Sequence, residues 1–158
     1  MNDKDVLKEG EFAPDFNLKS DEYLNKTLAD FKGNNIVLFF YPRDNTPGCT
    51  TEANDFKDLH DEFKSVDTVI IGISKDSAES HEKFKQKYDF PFTLLADTEA
   101  ETCNDYDVWR EKNLYGRKFM GIERSSFLID KDAKIAKVWR KVKVKGHAQE
   151  VLEAAKSL

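Results

Sequence analysis

The 158-residue chain holds only two cysteines, Cys49 and Cys103, and they sit in unlike surroundings. Cys49 closes the run Thr46-Pro47-Gly48-Cys49, just behind an apolar stretch at residues 36–41. Threonine is a good helix N-cap, and proline suits the first helical position because its missing N–H would be unpaired there anyway. On that count Cys49 is the third helical residue, beside free backbone N–H groups and the positive end of the helix dipole. Such a setting favours a thiolate, the form of cysteine that attacks electrophiles. Gly48 adds no bulk beside the sulfur, so a small electrophile could approach. The competing reading is that a lone cysteine is a small buried hydrophobe. Spacing alone leaves both readings standing. Standing 54 positions apart, the two cysteines form neither a C-x-x-C redox pair nor a four-ligand zinc set.

A thiol at a helix start needs a strand to deliver it and a core behind it. "NNIVLFFYP" (34–42) reads as a short strand covered on both faces. From about residue 47 to 64 the apolar period becomes helical, with Ala53, Phe56, Leu59 or His60, and Phe63 at helical spacing and Glu52, Asp55, Asp58 and Asp61 on the other side. "DTVIIGIS" (67–74) and "FPFTLLAD" (90–97) are further strands. A charged helix at 76–88 lies between them, and a short helix follows at 98–108. Residues 124–142 read as a strand–turn–strand hairpin, with Asp130-Lys131-Asp132 in the turn. Residues 146–158 form a closing helix. Residues 13–22 give an earlier strand and turn. This order predicts one α/β domain over residues 1–158, a thioredoxin-like three-layer sandwich whose mixed central sheet is flanked by helices.

The totals narrow the function classes. At 39% hydrophobic and 35% charged, with a formal net charge of -5, the chain is an acidic globular protein and a poor match for nucleic acid. The opening "MNDKDVLKEGEF" lacks the apolar core of a signal peptide. The longest apolar run, six residues, is far short of the roughly 20 that cross a bilayer. The expected location is the cytoplasm, where thiols stay reduced. His60, His81 and His147 stand alone at spacings unlike a metal site, so no metal is expected. Lys141, Lys143 and Lys145 alternate with valines in 139–147, as on the wet face of an edge strand. Trp109 and Trp139 read as packing residues.

"FFYPRDNTPGCTTE" (39–52) closely resembles the peroxidatic motif of peroxiredoxins, Pro-x-x-x-Thr-x-x-Cys, met here by Pro42, Thr46 and Cys49. "YPRDNTPGCT" is similar to the bacterioferritin-comigratory or peroxiredoxin Q branch. "GEFAPDFNL" and "GIERSSFLIDKDAKI" (121–135) resemble that branch's opening strand and its arginine-bearing strand. The resemblance implies a thiol peroxidase, acting without metal or haem, that reduces hydrogen peroxide and small organic hydroperoxides through a sulfenic acid at Cys49. It implies that Thr46 holds the peroxide, that Arg124 stabilises thiolate and leaving oxygen, and that Pro42 packs over the sulfur.

Many members of this branch carry a resolving cysteine five residues after the first, where this chain has Asn54, or on the next helix, which here has none. The expectation is therefore a one-cysteine cycle reduced by thioredoxin, glutaredoxin or a small thiol. The alternative is a two-cysteine cycle in which Cys103, otherwise a core residue, resolves the sulfenic acid. A rival of another class is a peroxide sensor with little turnover. By resemblance the protein is a monomer.

Overall fold

The computed structural model describes residues 7–158; residues 1–6 of the charged opening stretch lie outside them. Strand β3 (Asn35–Phe40) has every residue buried, as its unbroken apolar run requires. To define its neighbours, β1 is Leu18–Ser20, β2 Asn25–Lys26, β4 Thr68–Ser74, β5 Thr93–Ala96, β8 Ser125–Ile129 and β9 Ile135–Trp139. They form a 7-stranded sheet in the order β2-β1-β5-β4-β3-β8-β9. Strands β3, β4 and β5 are parallel, joined by helical crossovers, while β1 and β8 run antiparallel to their neighbours. The sheet is mixed, and the fold is thioredoxin-like.

Alternation along β3 sorts the core into two layers. Val37, Phe39 and Tyr41 face one side, with Ala53 and Phe56 of α1 (Pro47–Asp58), Phe63 of α2 (His60–Ser65), Phe84 of α3 (Ala78–Tyr88) and Leu152 of α5 (His147–Lys156). Ile36, Leu38 and Phe40 face the other side, with Ala13, Phe16, Tyr106 and the short α4 (Glu101–Asp105).

Several elements differ from the sequence reading. The helix expected over 47–64 breaks at Leu59, which has left helical geometry at φ -101, ψ 5. The helix expected at 98–108 shortens to α4, because Ala100 is left-handed (φ 58) and Asp97 takes the Thr102 and Cys103 N–H groups. The strand expected over 139–147 does not form: β9 ends at Trp139, and Lys141 turns left-handed at φ 49. A backbone bond from Val142 N–H to the Arg124 carbonyl (2.9 Å) then redirects the chain. Residues unassigned from sequence form a separate hairpin, β6 (Trp109–Leu114) with β7 (Arg117–Ile122). No helix of the described residues is long and apolar enough to cross a membrane.

Candidate active site

Strand β3 delivers the chain to a loop at 41–46 that feeds α1. Thr46 is the N-cap residue in extended geometry (φ -90, ψ 154) and Pro47 opens the helix, as its sequence predicts. The Thr46 side chain does not cap the helix, however. Its hydroxyl donates to the Arg43 carbonyl at 2.9 Å, which leaves its oxygen lone pairs to accept from a ligand. Cys49 lies in the first turn of α1, 1% exposed. Pro42, at the head of the loop, is half-buried.

Arg124 precedes β8 and comes from 75 residues further along the chain to donate from Nη2 to the Cys49 sulfur at 3.4 Å. A Cβ on residue 48 would stand 3.2 Å from that Nη2, so the glycine clears space for the guanidinium as much as for a substrate. The other terminal nitrogen, Nη1, donates to Glu52 Oε1 at 2.7 Å. Burial works against the Arg124 charge, but Glu52 and Cys49 outweigh it and hold the guanidinium's pKa above the ordinary arginine range. Lys112 of β6 belongs to the same electrostatic field. Burial and Arg124 lower its pKa, and the opposite charges of Cys49 and Glu123 push back.

Glu52 is the residue that the sequence reading put on the wrong side. It is 1% exposed, not part of the acidic outer face. The available signal was its position three residues after Cys49, which puts both on one helix face. Burial raises its pKa from 4.5 to about 7, against the pull of Arg124. Behind this pair His147, the first residue of α5, bonds Ser126 Oγ through Nε2 at 2.8 Å. Burial, and then Arg124, lower its pKa from 6.5 to about 4.

Cys103 is not brought to this site. It belongs to the core layer on the opposite side of the sheet from Cys49. Burial and then Asp97 push its thiol pKa far above the ordinary range. His81 is not isolated as its spacing suggested. It is buried, with Nδ1 2.7 Å from Asp44 Oδ2 and Nε2 2.9 Å from the Leu95 carbonyl.

A cysteine at a helix start beneath an arginine, carried on a thioredoxin-like sheet, defines a class: a peroxidase that works through a thiol. Comparison with known proteins gives the family. The model described as the AhpC/TSA family matches residues 10–138. Peroxiredoxin Bcp of Bacillus subtilis (strain 168) is 53% identical over 153 residues, covering 97% of this chain and 98% of that protein. Peroxiredoxin Bcp of Escherichia coli (strain K12) is 40% identical over 146 residues, covering 92% of this chain and 94% of that protein. A structure of the Xanthomonas campestris bacterioferritin comigratory protein, solved for its alkyl peroxide reduction activity, superposes with a TM-score of 0.89 at 41% identity, covering 95% of this chain and 98% of that one. The chain belongs to the AhpC/TSA family and is a peroxiredoxin of the Bcp and peroxiredoxin Q kind.

Proposed function

We propose that Cys49 is the peroxidatic nucleophile, Arg124 its electrostatic partner, Thr46 the peroxide-binding hydroxyl and Pro42 the residue that shields the sulfur. The observation that carries this reading is the Arg124 Nη2 contact to Cys49 Sγ (3.4 Å) at the start of α1. The Cys49 thiolate attacks one oxygen of a hydroperoxide. A sulfur–oxygen bond forms as the O–O bond breaks, the sulfur is oxidised to a sulfenic acid, and the other oxygen leaves as water or alcohol once protonated. The Thr46 oxygen accepts from the peroxide O–H, since its own proton is committed to Arg43. The fixed donors of Arg124 meet the charge that grows on the leaving oxygen. Hydrogen peroxide and small organic hydroperoxides are the substrate class. The alkyl peroxide reduction described for the Xanthomonas relative supports the organic part. Sulfur carries the electrons, so no metal or haem enters the step.

The sulfenic acid is resolved by an external thiol, namely thioredoxin, glutaredoxin or a small thiol. Two features of Cys103 support this: it sits behind the sheet, and burial beside Asp97 disfavours the thiolate that would have to attack. We read the chain as one cytoplasmic, monomeric domain over residues 1–158.

One equivalent of hydrogen peroxide, added with a sulfenic-acid trap and no reductant, tests the cycle by intact mass. A trap adduct at Cys49 with Cys103 still alkylatable is expected. A mass loss of about 2 Da without adduct, in a protein that stays monomeric on a gel, would mean that Cys103 resolves after all.

A further inference from the structure

At the base of the β6 and β7 hairpin, Trp109 and Ile122 join the core layer behind the sheet. Beyond that base the ribbon projects, and residues 113–120 are all exposed. Among the described residues eight large apolar side chains are exposed, and four of them, Leu114, Tyr115, Phe119 and Met120, fall within this one tip. Apolar exposure gathered in this way marks a contact with something outside the chain. Tyr115 and Gly116 are both left-handed (φ 53 and 79), as a two-residue hairpin turn requires. Glycine, asparagine or aspartate meets that demand at little steric cost. A tyrosine meets it against its preference and then leaves its side chain 97% exposed. Neither the turn nor the core explains an aromatic residue at this apex.

Charge accompanies the apolar side chains. In a chain of net charge -5, the stretch 109–122 carries Arg110, Lys112, Arg117 and Lys118 against a single acid, Glu111. Register puts Leu114 opposite Arg117 and Lys112 opposite Phe119 on one face of the ribbon. The other face pairs Asn113 with Lys118 and Glu111 with Met120. Both faces therefore set cations beside apolar groups. A protein docking on a ribbon meets one face or one edge, whereas a bilayer interface surrounds an inserted tip on every side. Cations alone would suit any polyanion; the apolar side chains among them select an anionic surface with an apolar interior.

We propose that the tip of this hairpin is a docking element for an anionic lipid bilayer. Leu114, Tyr115, Phe119 and Met120 enter the interface, while Arg117 and Lys118 reach back along their stems to the lipid phosphates. The protein rests on the bilayer and does not cross it. Strand β7 ends two residues before Arg124, so a docked tip holds the Cys49 site at that surface.

The test is co-sedimentation of the full chain with vesicles at low and high salt. Vesicles of phosphatidylglycerol and phosphatidylcholine in equal parts are compared with phosphatidylcholine alone. Wild type is expected to bind the anionic vesicles at least about tenfold more strongly, and high salt to remove most of the difference. Arg117→Gln combined with Lys118→Gln is expected to bind them roughly thirtyfold more weakly than wild type. Tyr115→Ser combined with Phe119→Ser is expected to lose at least about tenfold. Lys141→Gln combined with Lys143→Gln removes two exposed cations elsewhere and is expected to stay within about twofold of wild type. Cys49→Ser should bind as wild type does, so docking and the Cys49 chemistry stand or fail separately. Wild type that ignores anionic vesicles would overturn the proposal, as would tip variants that bind like wild type. An equal loss in the Lys141 and Lys143 variant would overturn it too, because the charge effect would then be general. If wild type ignores lipid while the tip variants raise the KM for thioredoxin, the tip docks a protein instead.

Discussion

At the residue scale the guanidinium of Arg124 is the group whose shape matters most. Lysine at 124 would keep the charge but offer a single point that cannot hold Glu52 and Cys49 together. Arg124→Lys is therefore expected to lose at least about tenfold in the rate with peroxide, and Arg124→Ala about 10² to 10³, read by stopped-flow oxidation of Cys49. Wild-type rates in either variant would remove Arg124 from the mechanism. Glu52 and His147 make opposing demands on stability. Glu52 keeps its proton in the folded chain up to about pH 7 but loses it near 4.5 when unfolded, so its contribution is full below 4.5 and is lost as pH rises to 7. His147 takes a proton near 6.5 when unfolded but only near 4 when folded, so its contribution is full above 6.5 and is lost as pH falls to 4. Each amounts to about 3 kcal/mol at full development, and between pH 4.5 and 6.5 they cancel. Relative to wild type, Glu52→Gln should gain stability as pH rises through that window, and His147→Gln should lose it. Urea midpoints at pH 5 and 6.5 measure both, and equal slopes in all three proteins would refute the pairing.

At the scale of elements, the loop between β3 and α1 is held from below by a buried polar cluster. Asp44 accepts from Tyr41 Oη (2.6 Å) and Ser80 Oγ (2.8 Å) and pairs with His81, while its own N–H donates to Asp76. This ties the segment bearing Pro42 and Thr46 to the first turn of α3. Asp44→Ala would strand several buried groups at once and is expected to cost about 3 kcal/mol in urea denaturation. A loss under about 1 kcal/mol would show that the cluster does not brace the loop. Strand β4 offers a second case. A Cβ at Gly72 would come within 2.8 Å of Leu94 Cδ2 and 2.9 Å of Phe39 Cζ, so Gly72→Ala should cost about 1 to 3 kcal/mol by overpacking. The strands were legible because β-branched, aromatic and other apolar residues are concentrated at 36–41 and 68–73, interrupted only by Gly72. The break at Leu59 was not, because no proline or glycine marks it; helical period continues across the join, and only packing of α2 against β4 and α5 decides the angle.

At the scale of the whole molecule, the sheet is a partition. Cys49 and Cys103 belong to different core layers, and a disulfide needs Cα atoms within about 7 Å. The hairpin of β6 and β7 stands outside the main sheet and exposes Leu114, Tyr115, Phe119 and Met120. Its tip contributes little to the core, so Tyr115→Ser and Phe119→Ser should each leave stability within about 0.5 kcal/mol of wild type. A larger loss in thermal or urea melts would mean that the tip packs more tightly than its exposure indicates. The hairpin escaped the sequence reading because its apolar residues do not alternate along either strand; Leu114, Tyr115, Phe119 and Met120 gather toward an exposed tip, and no buried face marks a strand.

What the sequence determined by itself was local. Thr46-Pro47-Gly48-Cys49 starts a helix because the backbone preferences of consecutive residues act within one turn, and the strand before it follows from an apolar run that has to be covered. The motif resemblance added the family and pointed to Arg124. Tertiary structure alone decided that Arg124 meets Cys49 across 75 residues, that Glu52 turns inward beneath it, and that Cys103 ends behind the sheet. Those outcomes depend on strand order and on which face each helix covers. Such contacts join residues far apart in the chain, and no periodicity within a single segment encodes them.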